Sequence, residues 1–348
     1  MAGPLRLRSP MILDLKNAVH RFIDRHPSAR KGLDRYRNWR RARKIDRRAA
    51  VTDERWTLFN LELTNRCPFK CIMCARTNNM TRAEGVMDFE TFKTIVDEYA
   101  SANPRAAAEE ITWLHQFGES LVHPEFGKFI RYAVSKGLRT GLSINPLLLK
   151  PSVSRDLLES GIAFLNIALD GHDDESFYKI RGVKDAYEKS KSNLLEFLKL
   201  KIELGSKTHV ALGMIDFAMN RDSIEQLRRY WEALPGIDEF AAKEFKVWNG
   251  DAADVNRLAD AKVDNAELQK TRKVVCNVPW EKVSVSWDGC VVPCCYDYDK
   301  KYVLGDVKNQ KIDEMWNGPE MQRLRREFLD NDVKNPLCRN CPELYLAP

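Results

Sequence analysis

Nine cysteines are the residues of this sequence whose spacing most directly indicates chemistry. They form two groups separated by a long stretch without cysteine: Cys67, Cys71 and Cys74, then Cys276, Cys290, Cys294, Cys295, Cys338 and Cys341. In a chain of 348 residues with no evident secretory signal, tight groups of this kind indicate metal or redox ligation rather than a disulfide framework. We therefore expect a reducing, cytoplasmic compartment.

The first group, in the segment CPFKCIMC, directly follows a predicted strand. Three thiolates at this spacing can bind three irons of a 4Fe-4S cluster and leave the fourth iron open to an outside ligand. Zinc is the alternative, but a closed structural zinc site needs a fourth ligand that is missing nearby. The open position predicts a catalytic rather than a structural site.

Strand-like and helical segments alternate from about residue 55 onward. Hydrophobic periodicity predicts strands at 57–64, 110–117, 139–145, 163–170, 208–217 and 239–248, and helices at 88–100, 126–135, 152–160, 186–204 and 223–234. This α/β rhythm requires parallel strands with helical crossovers, in an open sheet or in a complete or partial barrel. After residue 248 the rhythm stops, and VSVSW, Asp288-Gly289 and VV predict a β-hairpin.

The CxxxCxxC motif after the first strand resembles that of radical S-adenosylmethionine (SAM) enzymes. The resemblance covers residues 55–245 and implies a partial (β/α)6 TIM-type barrel, with SAM bound to the open iron and cleaved to a 5′-deoxyadenosyl radical. Phe117-Gly118-Glu119-Ser120 resembles the family's second-strand GGEP motif, with the first Gly and the Pro changed. By this resemblance, Gly118 and Glu119 receive the methionyl ammonium.

Further cofactor-binding residues are implied by the same resemblance. They are Met73 beside the adenine, Ser143 and Asn145 for the ribose and carboxylate, and Asp170 and Arg181 in the segment that reaches cofactor or substrate. Asn145 and Asp170 also end predicted strands, where such residues commonly cap the next turn. His115 should face the barrel interior, although a lone histidine is more often a core residue.

The C-terminal cysteines resemble the family's SPASM and twitch appendages. Their opening signature is matched by Cys276, followed after twelve residues by Gly289 and after four more by Cys294. Cys338 and Cys341 follow as a CxxC motif. The resemblance implies one auxiliary 4Fe-4S cluster, bound by Cys276, Cys294, Cys338 and Cys341, with Cys295 as an alternative to Cys294. A four-thiolate zinc site is the rival. Cys290 and Cys295 are left as buried hydrophobes or hydrogen donors to a substrate radical.

Charge divides the chain unevenly. Residues 1–50 hold 15 Lys and Arg against four Asp, a net charge of +11, whereas the remainder carries −5. Helical spacing of Ile12, Leu15, Val19, Phe22 and Ile23, and again from Leu33 to Arg40, predicts two basic amphipathic helices. They either pack on the main domain or lie on an anionic membrane surface. No nucleic-acid motif is evident, and no apolar run is long enough to span a membrane.

These observations predict three segments: a basic helical extension at 1–52, the barrel at 53–249 and an auxiliary iron-sulfur domain at 250–348. The resemblance favours an oxidoreductase acting on a sugar or aminocyclitol, with an external donor such as flavodoxin or ferredoxin. The alternatives are an epimerase that uses a cysteine hydrogen donor and a ribosomal-peptide maturase. A non-enzymatic iron-sulfur carrier would leave the open three-cysteine site and Glu119 unexplained.

Overall fold

A single nine-stranded sheet organises the molecule. The computed structural model describes residues 27–259 and 264–345. The strands are β1 Thr57–Leu61, β2 Ile111–Trp113, β3 Arg139–Ile144, β4 Phe164–Ala168, β5 His209–Asp216, β6 Glu239–Glu244, β7 Lys282–Val285, β8 Cys290–Val292 and β9 Gly305–Asp306. Their order is β6-β5-β4-β3-β2-β1-β7-β8-β9, and β1 to β6 pair in parallel. The predicted partial (β/α)6 barrel is thereby confirmed.

Helices cover the outer face of the parallel strands. Further helices lie in the N-terminal basic segment and in the C-terminal part. They are α1 Pro27–Ile45, α2 Ala75–Asn78, α3 Phe89–Ala102, α4 Pro104–Glu109, α5 Phe126–Ser135, α6 Pro151–Glu159, α7 Asp174–Arg181, α8 Tyr187–Glu203, α9 Ile224–Glu232, α10 Ala253–Asn256, α11 Asn265–Thr271, α12 Ile312–Trp316 and α13 Pro319–Leu329. Among the described residues, no helix is long and apolar enough to cross a membrane.

Alternation along the strands separates the core from the lumen of the barrel. On β3, Leu142 and Ile144 are buried beneath the helices, while Ser143 lies on the opposite face. Aromatic residues fill the outer layer, where the rings of Phe92 and Phe129 are 4.7 Å apart. The lumen face and the loops after the strands are therefore left for polar side chains.

The C-terminal strands extend the barrel sheet rather than forming a separate one. The predicted hairpin is present as β7 and β8, which turn at Gly289 with a φ of 92°. Strand β7 pairs in parallel with β1, and the backbone N–H of Glu62 donates to the carbonyl of Val285 at 2.9 Å. The two cysteine groups are consequently carried by adjoining parts of one sheet.

The segment after α1 packs on the C-terminal part. Trp280 Nε1 donates to the carbonyl of Ala49 at 2.8 Å, and Trp316 Nε1 donates to that of Glu54 at 2.7 Å. The fully buried Arg325 donates to the carbonyl of Ala50 at 2.9 Å. The second predicted basic helix is α1, whereas the first, with Ile12, Leu15, Val19, Phe22 and Ile23, lies outside the described residues.

Several local features differ from the sequence expectation, and two of them affect the loops after the strands. Several strands are shorter than predicted, since β1 ends at Leu61 and β2 at Trp113. Helix α7 was not predicted, although Asp173 and Ser176 form a capping box at its start and Gly182, with a φ of 74°, ends it. Helix α7 brings Arg181 to the cysteine loop.

Candidate active site

The loop after β1 carries the first cysteine group and is held by hydrogen bonds to its backbone. Arg76 donates to the carbonyls of Cys67 and Phe69, both at 2.9 Å, and Thr77 Oγ1 donates to that of Cys71 at 2.9 Å. The backbone N–H of Cys74 donates to the carbonyl of Cys71 at 3.2 Å. These bonds curl the loop and collect the three thiols at the carboxyl end of β1.

Burial makes two of the three thiols, Cys67 and Cys74, poor acids on their own. Burial raises the pKa of Cys67 to about 12, with the charges of Glu119 and Cys71 adding to the effect. Burial likewise raises the pKa of Cys74 to about 11, again with a contribution from Cys71. A bound iron that replaces the protons favours the thiolate form directly, so the three thiols fit metal ligation better than free thiol chemistry.

Gly118 and Glu119 lie against the cysteine loop. A Cβ at Gly118 would stand 1.9 Å from the carbonyl oxygen of Thr64, so the close approach requires glycine. Glu119 accepts hydrogen bonds from the backbone N–H groups of Asn145 at 2.9 Å and Leu121 at 3.2 Å. Burial raises its pKa to about 7 against the opposing charge of Arg181, which among the described residues is paired with Asp170 instead. A cationic ligand group beside Glu119 would compensate this carboxylate.

Asn145 and Ser143 project from the end of β3 beside Glu119. The Asn145 side-chain oxygen accepts from Leu147 N at 2.9 Å and caps the short 3₁₀ turn at Pro146–Leu148. Its buried amide nitrogen has no hydrogen-bond partner among the described residues. Asn145 therefore caps a turn and keeps its amide N–H groups free, whereas Ser143 Oγ accepts from Asn166 Nδ2 at 2.8 Å.

Asp170 and Arg181 bind each other. Their side chains form an ion pair, and the Asp170 carboxylate also accepts from Ile215 N at 2.6 Å. Arg181 Nη1 lies 3.5 Å from Cys71 Sγ in hydrogen-bond geometry. The charges of Asp170 and Cys71 raise the pKa of Arg181 against the opposing effect of burial. The pair thus connects β4 and α7 to the cysteine loop, and its role as a cofactor-binding pair stays a prediction.

Met73 lies in an apolar wall beside the thiols. It is buried with Phe69, Cys71, Ile180 and Phe217, while its carbonyl accepts from Trp248 Nε1 at 2.8 Å. This wall suits the flat, apolar part of a bound nucleoside, as the resemblance implies for Met73.

Four C-terminal cysteines surround one cavity. It is lined by Cys276, Cys294, Cys338 and Cys341 together with apolar side chains that include Pro279, Leu324, Phe328 and Leu344. Burial raises the pKa of Cys276 to about 11, and burial with neighbouring thiols also raises the pKa values of Cys338 and Cys341. The arrangement brings together the four predicted auxiliary-cluster ligands, with Cys294 rather than Cys295 on the lining.

The two remaining cysteines occupy different places. Cys290, on β8, is surrounded by Lys300, Asp288 and Asp306, and burial raises its pKa to about 11. Cys295 adjoins Cys294, and its carbonyl accepts from Gln116 Nε2 at 3.2 Å, beside the loop after β2. Cys295 is therefore connected to the barrel, whereas the charged neighbours of Cys290 lie in the C-terminal part.

Sequence analysis missed the ion pair that joins these loops. Arg82 donates to both carboxylate oxygens of the fully buried Glu62, at 2.7 and 2.6 Å. Glu62 also accepts from Phe117 N at 3.2 Å and Trp287 N at 3.3 Å. The only available signal was a glutamate alternating with apolar residues in LELT directly after β1. This pair fixes the loops after β1 and β2 to the C-terminal hairpin.

Family models identify both halves of the site. The radical SAM superfamily model matches residues 61–231, and the model of the SPASM iron-sulfur cluster-binding domain matches residues 276–342. The chain belongs to the radical SAM superfamily and carries a C-terminal SPASM domain. The matched ranges lie inside the predicted segments 53–249 and 250–348, whose exact boundaries remain a proposal.

Among its relatives, the chain is 26% identical over 327 residues to a tungsten-containing aldehyde ferredoxin oxidoreductase cofactor-modifying protein of Pyrococcus furiosus, covering 81% of this chain and 86% of that protein. It is 21% identical to the SAM-dependent 2-deoxy-scyllo-inosamine dehydrogenase of Niallia circulans, covering 83% and 94%. The crystal structure of BtrN with AdoMet and 2-DOIA superposes with a TM-score of 0.54 at 17% identity, covering 83% of this chain and 94% of BtrN.

Family membership implies SAM and two iron-sulfur clusters as cofactors, and the residues present fit them. The first cysteine group supplies three thiols, and Gly118, Glu119 and the unpartnered Asn145 amide lie beside it. The C-terminal cavity supplies four thiols in apolar surroundings. When bound, the first cluster and SAM supply hydrogen-atom abstraction.

Proposed function

We propose that this radical SAM enzyme oxidises a small-molecule substrate, with a sugar or aminocyclitol as the preferred class. The observation that carries the proposal is the C-terminal cavity with its four cysteines. A cluster with four thiolate ligands has no open iron for substrate, which suits an electron acceptor. In a two-electron oxidation of an alcohol, the carbon would lose a hydrogen atom to the SAM-derived radical, the hydroxyl oxygen would lose a proton to a base, and the remaining electron would pass to a cluster held by these four cysteines.

The two relatives that align over most of this chain support a small molecule, whereas other relatives and structural neighbours act on or bind peptides. The protein of Pyrococcus furiosus is named for modifying a cofactor, and that of Niallia circulans for dehydrogenating an aminocyclitol. The basic helix α1 also differs from the winged-helix leader-binding domains that the family's peptide maturases often carry. A peptide substrate is the alternative, and it predicts that small-molecule candidates leave SAM cleavage unchanged.

Epimerisation is the second alternative, because it needs only a cysteine that returns hydrogen to the substrate radical. Cys295 is the better placed of the two spare cysteines, since its backbone contacts Gln116 beside the barrel. Oxidation yields a ketone, whereas epimerisation yields carbon-bound deuterium from solvent without net oxidation. Product analysis in deuterated buffer, with Cys295→Ala as the matched variant, separates the two reactions.

The test begins with the cofactors. Anaerobically reconstituted protein should bind about eight irons, and the triple change of Cys67, Cys71 and Cys74 to Ala should leave about four. Candidate sugars and aminocyclitols labelled with deuterium are then incubated with reductant and SAM. Deuterium in 5′-deoxyadenosine identifies the substrate and the attacked carbon. Finding zinc without sulfide, or 5′-deoxyadenosine formation that no candidate stimulates, would contradict the proposal.

We further propose that α1 lies on an anionic membrane surface while the rest of the chain stays in the cytoplasm. Tyr36 and Trp39 are 53% and 54% exposed, and the guanidinium groups of Arg40 and Arg43 stack on their rings at 5.9 and 5.0 Å. Exposed aromatic and arginine side chains on one helix suit the interface between lipid headgroups and water.

A further inference from the structure

A row of polar side chains crosses the lumen of the barrel below Glu119. Ser143 N donates to His115 Nδ1 at 3.1 Å, and Asn166 Nδ2 donates to Ser143 Oγ at 2.8 Å. Lys243 Nζ donates to Asn166 Oδ1 at 2.7 Å. The row therefore runs from the end of β2 through β3 and β4 to β6.

Strand register explains how these side chains meet. Ser143 pairs with Asn166 in the β3–β4 ladder, so both side chains face the lumen. Lys243 lies on β6 and has to reach across β5 to contact Asn166. It can do so because β5 has Gly213 there, where a Cβ would stand 2.7 Å from Asn166 Oδ1.

The row leaves hydrogen-bond donors unused. His115 Nδ1 accepts a bond, so the neutral ring carries its proton on Nε2, for which the described residues supply no partner. Burial and the charge of Lys243 lower the pKa of His115 to about 4, which keeps the ring neutral at pH 7. The hydroxyl of Ser143 and the ammonium of Lys243 retain further hydrogens. The lumen here offers donors to an incoming group rather than acceptors.

The charge at the row is also unbalanced. In the described part of the chain Lys243 forms no ion pair, because Asp170 is bound by Arg181 and Glu239 lies 3.5 Å from His209. Solvent reaches the Lys243 side chain at the edge strand β6. Even so, the protein atoms around its ammonium lower the pKa of Lys243 by desolvation. A bound anion would neutralise the charge of Lys243 and accept hydrogen bonds from the free donors.

We propose that Lys243, His115 and Ser143 form an oxyanion-binding site for a carboxylate or phosphoryl group of the substrate, which gives Ser143 a role different from the SAM contact that the resemblance implies. This inference rests on the proposed function, because it assumes that a small molecule enters the barrel. It narrows that substrate to an anionic one, such as a sugar phosphate or a sugar acid. The reacting carbon would then lie between this site and the predicted SAM-binding residues Glu119 and Asn145.

Protection of Lys243 from acetylation tests the site without turnover. The reconstituted holoenzyme is pulsed with an amine-reactive acetyl ester in the presence of inorganic phosphate, acetate, or sodium chloride at equal ionic strength. Mass spectrometry then compares acetylation of Lys243 with that of Lys199, an exposed lysine on α8. We expect phosphate or acetate to slow labelling of Lys243 several-fold and to leave Lys199 unchanged.

A variant of His115 distinguishes binding at this site from general electrostatic screening by the added ions. His115→Asn keeps a hydrogen-bonding atom near the Nδ1 position and removes the Nε2–H donor, so protection of Lys243 should weaken. Protection by phosphate alone assigns a phosphoryl group, and protection by acetate alone assigns a carboxylate. Equal labelling with phosphate, acetate and chloride overturns the proposal. Because no turnover is involved, that result leaves the oxidation itself to the deuterium-transfer experiment.

Discussion

The buried carboxylate of Glu119 destabilises the folded protein when it is ionised, but the same charge can bind a cationic ligand. Burial holds its pKa at about 7, so between about pH 4.5 and 7 the folded protein keeps a proton that the unfolded chain releases. Its contribution to the free energy of unfolding therefore falls as the pH rises through this window, by up to about 3 kcal/mol. The ammonium of SAM would recover this cost only when Glu119 is ionised.

We predict that Glu119→Gln raises the melting temperature of the SAM-free holoenzyme at pH 8 and has little effect at pH 4.5. The same variant should bind SAM at least about tenfold more weakly, because a neutral amide loses the charge-assisted bond. Thermal unfolding and equilibrium binding measure the two effects. Glu125→Gln, at an exposed residue paired with Lys128, is the control. Equal melting temperatures of Glu119→Gln and wild type at pH 8 would contradict the argument.

Arg181 is positioned to act on the first cluster through Cys71. A hydrogen bond to a thiolate ligand stabilises the reduced, more negative state of a cluster. We expect Arg181→Lys to shift the cluster's reduction potential to a more negative value, on the order of tens of millivolts. An anaerobic redox titration followed by electron paramagnetic resonance measures the shift. Arg131→Lys, in an exposed pair with Asp156, should leave the potential unchanged, and a matching shift there would refute a specific bond.

Local motifs explain which site residues sequence could predict. The first cysteine group and the Gly118-Glu119 pair each lie within a few residues of one strand, and the C-terminal cysteines follow the spacing of a known signature, so both are visible in the sequence. Arg181 was foreseen as a functional residue, but its bond to Cys71 depends on α7 folding back over the loop. The contact of Asn166 with Lys243 depends on Gly213 in the strand between them, which no local pattern reveals.

At the level of elements, the buried pair of Glu62 and Arg82 ties two barrel loops to the C-terminal hairpin. We predict that Arg82→Ala lowers the free energy of unfolding by about 3–5 kcal/mol, because it leaves a buried carboxylate without its partner. Arg105→Ala removes an exposed pair with Glu109 and should cost less than about 1 kcal/mol. Urea denaturation compares the two variants, and the prediction fails if both lose the same amount.

Periodicity predicted the parallel strands and the longer helices between them because each buries one continuous apolar face. It placed strand ends too late, since residues such as Glu62 and Phe117 continue the alternation after the ladder has ended. These residues are already turning toward the cysteine loop and each other. The residues predicted as strand beyond the observed strand ends therefore belong to the loops that carry the site.

At the scale of the whole molecule, the N-terminal segment belongs to the C-terminal part more than to the barrel. Ile45 is buried, and Ala49 and Ala50 accept hydrogen bonds from Trp280 and Arg325. A deletion that tests α1 should therefore stop before Ile45. Packing on the main domain was one of the two alternatives, but the contacts themselves could not be predicted, because the contacting residues are more than two hundred positions apart.

We predict that deleting residues 1–42 reduces sedimentation with phosphatidylserine vesicles by at least about tenfold, as each basic residue near the surface contributes about 1 kcal/mol. Reductive SAM cleavage should persist, since the cysteine loops are untouched. Vesicles of neutral phosphatidylcholine serve as the lipid control, and Tyr36→Ser with Trp39→Ser in the full chain tests the aromatic contribution. Undiminished sedimentation of the truncated protein would reject the membrane role of α1.

The pairing of β1 with β7 has a consequence for electron movement. One strand leads into the first cysteine loop, and the other lies between Cys276 and Cys294, with main-chain bonds such as Glu62 N to Val285 O joining them. The spacing between the two cysteine groups is thus set by a ladder of neighbouring strands, not by the long connection from β6 to β7. With a cluster bound at each group, thermal motion of that connection should leave the rate of electron tunnelling between the clusters unaltered.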